Sequence, residues 1–319
     1  MPPGKCYNMV NKGERGMNRR DFIYRAAALA ATGFTGCRSA CGTSGRRILF
    51  GACRPRKDAA LMKSIGYDFI EGTVADCFAP DKGAETWKRL KDEILSLPLP
   101  LRACNNFIPG TFQIVGPKAD VAPALDYAET ALRRAEEVGV RYVVFGSNGA
   151  RNAPGDPCDP KNRPPTEQAF EEYIEFCRRL CKRVEDLRNV RILAEPLRPN
   201  GANYLNYVWQ AVQVCEDVKA PQMGVIADIF HMTAGREPAR SIVEAGSLVR
   251  HCHIADWKTR NYFGEVAANV AHFKPYFEAL KAIGYAGGVS VETGKDGWGA
   301  KADLARNLET SLVALRSLV

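Results

Sequence analysis

The sequence predicts a single (β/α)8 barrel of the α/β class, set behind an N-terminal segment of different character, and three observations carry that expectation. After residue 47, short β-rich runs alternate strictly with longer stretches of helical periodicity. Eight of each fit into about 270 residues, the usual size of such a barrel. The turn after the first strand, Gly51-Ala52-Cys53-Arg54-Pro55, lacks the Gly-x-Gly-x-x-Gly phosphate cradle that the rival fold, a doubly wound open sheet, normally shows there.

In chain order, strands are expected at 48–53, 69–73, 101–107, 142–147, 191–195, 224–228, 251–256 and 288–292. The helices between and after them are expected at 58–65, 85–95, 123–138, 167–186, 204–218, 238–245, 272–283 and 302–318. Several boundaries carry local signals. Pro123 suits a first helical turn, Thr166 is expected to cap the helix at 167, and Gly139 and Gly284 stand just past helix ends. Cys177 and Cys181 fall on an apolar stripe with Phe170, Tyr173, Ile174, Leu180 and Val184, so packing is their expected job. The Pro/Gly/Asn-rich stretch 147–165 is expected to form a long loop at the barrel mouth, where lids sit. No linker divides residues 48–319, which read as one domain.

Composition excludes other classes. With 46% hydrophobic and 25% charged residues the chain is that of a globular protein, not a disordered or fibrous one. The net charge of +8 is unevenly spread: residues 1–47 hold nine Lys/Arg against two acids, leaving +1 for the rest. A nearly neutral body offers no footprint for nucleic acid. The basic head has its own order, Arg19-Arg20-Asp21-Phe22-Ile23 followed by the small apolar run 26–36 and Cys37. A twin arginine ahead of such a run reads as a twin-arginine-type export signal, which implies a periplasmic location. Phe34-Thr35-Gly36-Cys37 approaches a lipoprotein box, so plain cleavage and a lipid anchor at Cys37 both stay open.

All eight strand ends of such a barrel open on one mouth, so functional side chains are expected at C-terminal strand ends. The last four strands end in Glu195, Asp228, His253 with Asp256, and Glu292, each after apolar residues. Three neighbouring buried carboxylates cannot all stay ionised without a strong positive charge among them. Glu195, Asp228, His253 and Glu292 are therefore expected to ligate one divalent metal: Mn²⁺ or Mg²⁺ by hardness, with Co²⁺, Fe²⁺ or Zn²⁺ as other occupants. His251 is expected to be packed and hydrogen-bonded rather than a ligand, and His272 to begin a helix on the solvent side. Glu71, Asn105 and Asn106 end strands where they reach substrate or cap a loop, and Trp257 and Trp298 either wall a sugar or pack loops.

The pieces Ala194-Glu195-Pro196-Leu197 with Asn203 and Asn206, Asp228-Ile229-Phe230-His231, His253-Ile254-Ala255-Asp256 and Ile283-Gly284-Tyr285-Ala286-Gly287-Gly288-Val289-Ser290-Val291-Glu292 give the chain a resemblance. It resembles the sugar phosphate isomerase/epimerase group of the xylose-isomerase-like TIM barrels, which includes ketose 3-epimerases, hydroxypyruvate isomerases and inosose dehydratases. The resemblance implies metal ligands at Glu195, Asp228, His253 and Glu292, a substrate-hydroxyl contact at His231, a substrate contact at Arg260, and an acid/base pair in Glu195 and Glu292. Such a pair fits proton abstraction next to a carbonyl, since one carboxylate on each face of a planar enediolate takes a proton and the other returns one. The expected function is a metal-dependent isomerase or epimerase of a sugar or sugar derivative. A lyase using the same site is the alternative, with a non-catalytic sugar-binding barrel as a minor one; homo-oligomerisation stays open. Export favours an unphosphorylated saccharide or keto-glycoside.

Overall fold

A computed structural model of the chain describes residues 47–153, 163–294 and 303–319. The expected export segment and the Cys37 box lie outside the described residues, as do Trp298 and positions 154–162 of the expected lid.

The strands are β1 Leu49–Cys53, β2 Phe69–Thr73, β3 Leu101–Asn105, β4 Tyr142–Phe145, β5 Arg191–Ala194, β6 Met223–Asp228, β7 Val249–Ile254 and β8 Gly288–Val291. Each pairs in parallel with the next, and β8 closes on β1. The helices are α1 Ala59–Ile65, α2 Val74–Phe78, α3 Ala84–Leu95, α4 Val121–Glu137, α5 Asn148–Arg151, α6 Arg163–Arg183, α7 Val208–Val218, α8 Ile229–Ala234, α9 Arg240–Ala245, α10 Val266–Ala282 and α11 Leu304–Arg316. The expected (β/α)8 barrel is therefore present.

Successive strand residues point to opposite faces of the sheet, which gives the barrel two apolar layers. Val143, Ile192, Ala227, Cys252 and Val289 belong to the larger layer, packed under the helices. Val144, Leu193 and Ile226 form a separate plug inside the ring, with Tyr142 against it. The helices meet the outer layer through stripes at helical spacing: in α4 Ala124, Leu125, Ala128, Ala131, Leu132 and Ala135 are buried. The same alternation sends His251, His253 and Ser290 inward while Cys252 and Val289 face the helices.

Where boundaries differ from expectation, local backbone explains them. β3 and β4 stop before residues 107 and 147 because Asn106 and Ser147 take positive φ, 51° and 35°, which breaks extended pairing. Leu205 at φ 52° delays α7 to Val208. Thr166 is not a cap, since α6 already begins at Arg163. α10 starts six residues ahead of His272, which is therefore mid-helix rather than at its start. Gly139 and Gly284 do follow helix ends, at φ 77° and 65°, where glycine avoids the Cβ penalty.

Candidate active site

Asp228 is the last residue of β6 and His253 the fifth of β7, while Glu195 and Glu292 directly follow β5 and β8. The ligand-capable atoms of these four lie within 4.8 Å of one another. His253 Nδ1 is 3.5 Å from both Glu195 Oε1 and Glu292 Oε2. Glu195, Asp228 and His253 are buried, and Glu292 is nearly so.

Each side chain is held by something specific. Asp228 Oδ1 accepts from the His231 backbone N–H at 2.9 Å and so caps α8, leaving Oδ2 3.6 Å from His231 Nε2. His231 Nδ1 accepts from the Arg198 backbone N–H at 3.3 Å, which places the ring proton on Nε2; that atom is buried and has no hydrogen-bond partner. Glu292 is gripped on both oxygens: Asn105 Nδ2 donates to Oε1 and Arg260 Nη2 to Oε2, each at 2.9 Å. Arg260 takes φ 54°, unusual for a residue with a side chain. Its N–H donates to the Asp256 carbonyl, and its own carbonyl accepts from Gly294. Asp256 ties this loop together by accepting from the Lys258 and Thr259 N–H groups, the Thr259 hydroxyl and Asn269.

Behind the centre, Glu71 at 0% exposure accepts three hydrogen bonds: His253 Nε2 to Oε1 at 2.9 Å, and His251 Nε2 and Ser290 Oγ to Oε2 at 2.8 and 2.6 Å. Glu195 depends on β4. Gly146 lies against its carboxylate, and a Cβ at 146 would overlap Oε2. The substitution Gly146→Ala is therefore expected to displace the Glu195 side chain and to weaken divalent-cation binding by at least about tenfold, since a misplacement near 1 Å costs a site dearly. Titration with Mn²⁺ beside a melting curve checks this: cation affinity should fall much further than stability.

The two glutamates differ in electrostatics. Burial pushes the Glu195 carboxyl up, and the charges of Glu292 and Asp228 add to it against the pull of His253. Burial acts the same way on Glu292, yet His253, Arg260 and His231 outweigh it and hold that carboxyl down at about 2. Burial disfavours a charged His253, but Glu71 and Glu292 on either side outweigh this and hold its proton well above the ordinary histidine range.

The residues fit a dication. Glu71 in its ionised form can only accept, so His253 Nε2 is a donor and Nδ1 is left facing Glu195 Oε1 and Glu292 Oε2. His253 Nδ1 and Glu195 Oε1 are both buried without a hydrogen-bond partner. Three carboxylates converging on one point require a positive charge there, supplied by the His253 proton or by a dication in its place, and an imidazole with three carboxylates is the donor set of a hard or borderline divalent ion. Beside this cluster a cavity of about 240 Å³ opens at the ends of β1 to β3, walled by Cys53, Arg54, Glu71, Thr73 and Asn105.

The four residues expected as ligands are thus brought together, with His231 and Arg260 beside them. Arg260 Nη2 rests on Glu292 Oε2, while its Nε is buried without a hydrogen-bond partner. Asn105 also contacts Glu292. His251 is packed, stacking on Tyr142 at 5.6 Å and bonded to Glu71. Trp257 stacks on His272 at 4.5 Å and 10°, so one face of this ring packs the loop. Sequence reasoning missed Arg151. It is fully buried, donating to the carbonyls of Gly146, Tyr204 and Glu195 between the rings of Tyr173 and Tyr204.

A closed eight-stranded barrel with three carboxylates and an imidazole converging from its last four strands defines a (β/α)8 protein with a candidate dication site at its mouth. The chain belongs to the xylose isomerase-like TIM barrel family, whose model matches residues 59–318. A ketose 3-epimerase of Arthrobacter globiformis is 29% identical over 116 residues, 36% of this chain and 38% of that protein. A probable ketose 3-epimerase of Synechocystis is 28% identical over 106 residues, 33% of this chain and 36% of that one. The matched stretch thus spans little more than a third of either relative. Among solved structures, D-psicose 3-epimerase from Clostridium cellulolyticum H10 with D-tagatose superposes with a TM-score of 0.70 at 19% identity, covering 85% of this chain and 99% of that one. The 3-keto-D-glucoside 4-epimerase of E. coli gives 0.65 at 19%, covering 85% and 100%. At such identities these two structures show the shared fold.

Proposed function

We propose that the protein is a divalent-cation-dependent epimerase of an unphosphorylated ketose or keto-glycoside. The observation that carries this reading is the convergence of Glu195 and Glu292 on one point beside His253 Nδ1, from two separate strand ends. The names of the relatives and of the structural neighbours, ketose 3-epimerases and a keto-glucoside 4-epimerase, support the substrate class.

Glu195, Asp228, His253 and Glu292 would hold the ion, which when bound supplies positive charge to stabilise oxygen anions next to the reacting carbon. The carboxylates of Glu195 and Glu292 form the proton-transfer pair. One removes the proton next to the carbonyl, the substrate becomes a planar enediolate, and the other returns a proton on the opposite face. His231 Nε2–H, buried and unpartnered, donates to a substrate oxygen. Asn105 and Arg260 hold Glu292 in place, and Arg260 covers Phe230 at 5.2 Å, closing that flank. The cavity at β1 to β3 takes the remainder of the carbon chain or the glycosidic group.

Elemental analysis, followed by incubation of the cation-loaded protein with ketoses and 3-keto-glycosides in D₂O, tests the proposal. An isomer of unchanged skeleton carrying one deuterium next to the carbonyl is the expected product. A product lighter by water, or by a released sugar, would replace epimerase with lyase. No exchange with Mn²⁺, Mg²⁺, Co²⁺ or Zn²⁺ would overturn the catalytic reading.

The reading includes an exported enzyme, on the strength of Arg19-Arg20 and the apolar run after it. That location is the reason for choosing a phosphate-free substrate. Fractionation of cells carrying the full chain, with and without Arg19→Lys/Arg20→Lys, checks it.

A further inference from the structure

We infer that Glu71 is the positioning residue of the centre: from the far side of the ring it fixes which nitrogen of His253 faces the ion. This rests on the cation site proposed above. Glu71 lies on β2, three strands away from β7 around the barrel, and reaches His253 across the interior. It follows a register shift in the β2/β3 pairing at Ile70/Glu71, a local irregularity of the kind that re-aims a side chain.

The hydrogen-bond count makes the assignment. An ionised carboxylate has no proton, so each of its three partners must donate. His253 Nε2 is one of them, at 2.9 Å. A neutral imidazole with its proton on Nε2 has its lone pair on Nδ1, the nitrogen turned toward Glu195 and Glu292. His251 Nε2 and Ser290 Oγ occupy the other oxygen, so the carboxylate cannot rotate away without leaving buried donors unpaired. Its negative charge behind the ring also raises the basicity of the ligating nitrogen. The Cys53 thiol, 3.9 Å from the same Nε2, is the competing neighbour, since Cys53, Glu71 and His253 also group closely enough to share an ion.

The substitution Glu71→Gln tests this, because the amide keeps the shape but offers one acceptor oxygen where two imidazoles need one each. Affinity for Co²⁺, measured by its visible absorption, is expected to fall about 10- to 100-fold, the usual cost of losing such an outer partner. Ser290→Ala, which removes a donor from the His251 side only, is expected to leave Co²⁺ affinity within about threefold of wild type, where the His253 bond is intact. A purely structural Glu71 would lower the melting temperature and leave the affinity of the folded fraction unchanged, which overturns the proposal. Should Glu71→Gln fail to fold, the Zn²⁺-loaded wild type still decides: ¹⁵N spectra should show His253 with its proton on Nε2. A proton on Nδ1, or a second bound ion with a thiolate charge-transfer band, overturns it. Wild type that binds no dication overturns both this and the cation site. Tight binding by wild type and Glu71→Gln alike overturns this inference alone.

Discussion

Glu195→Gln and Glu292→Gln are each expected to slow interconversion of the two epimers by about 100- to 10,000-fold, the range for removing a positioned acid or base. Glutamine keeps an oxygen for the ion but cannot carry the proton. The two variants should also differ from one another. If the carboxylates serve opposite faces, each variant keeps solvent-deuterium exchange on the epimer whose proton the surviving glutamate takes and loses it on the other. Single-turnover exchange of each epimer in D₂O, followed by NMR, checks this. Loss of exchange on the same epimer in both variants would show one carboxylate doing both transfers.

Arg151→Ala is expected to be the most destabilising single change outside the centre, by about 4 kcal/mol. The guanidinium is fully buried and bonded to three carbonyls, those of Gly146, Tyr204 and Glu195. Truncation strands those carbonyls and opens a void between Tyr173 and Tyr204. One of the three belongs to Glu195 itself, so cation affinity should fall together with stability. Urea unfolding and Mn²⁺ titration of the same sample measure both. Arg151→Lys should recover little, because an ammonium cannot span three separated acceptors as a planar fork does.

The barrel and the four clustered side chains were legible because each strand is a short apolar run and four consecutive ones reach an acid or imidazole at the same end. Each acid alone reads as a helix cap, as Asp228 indeed is, and only the joint pattern points to one centre. Periodicity records burial, and burial is what builds the ring. The supporting residues were not legible, for physical reasons. Glu71 was read as an acid at a strand end but stands in the middle of β2; its partners His251, His253 and Ser290 sit on β7 and β8, and only closure of the ring brings them within reach. Arg151 sits in a Pro/Gly-rich stretch that reads as exposed loop, and a four-residue helix is too short to leave a periodic trace. Gly146 carries no signal at all, since its role is the space it leaves for Glu195. The positive φ angles at Asn106, Ser147 and Leu205 shortened or delayed elements in ways that residue type alone does not announce.

The clustered acids and imidazole come from β5 to β8, whereas the adjoining cavity is walled by the ends of β1 to β3. On the proposed function, bond-making falls to the first of these arcs and the fit of the remaining substrate to the second. Replacement of Thr73 should change which molecule is accepted while the proton chemistry keeps its rate constant for whatever does fit; Cys53, Glu71 and Asn105 share that wall but contact His253 or Glu292, so an engineer seeking a new sugar for this barrel would leave them alone.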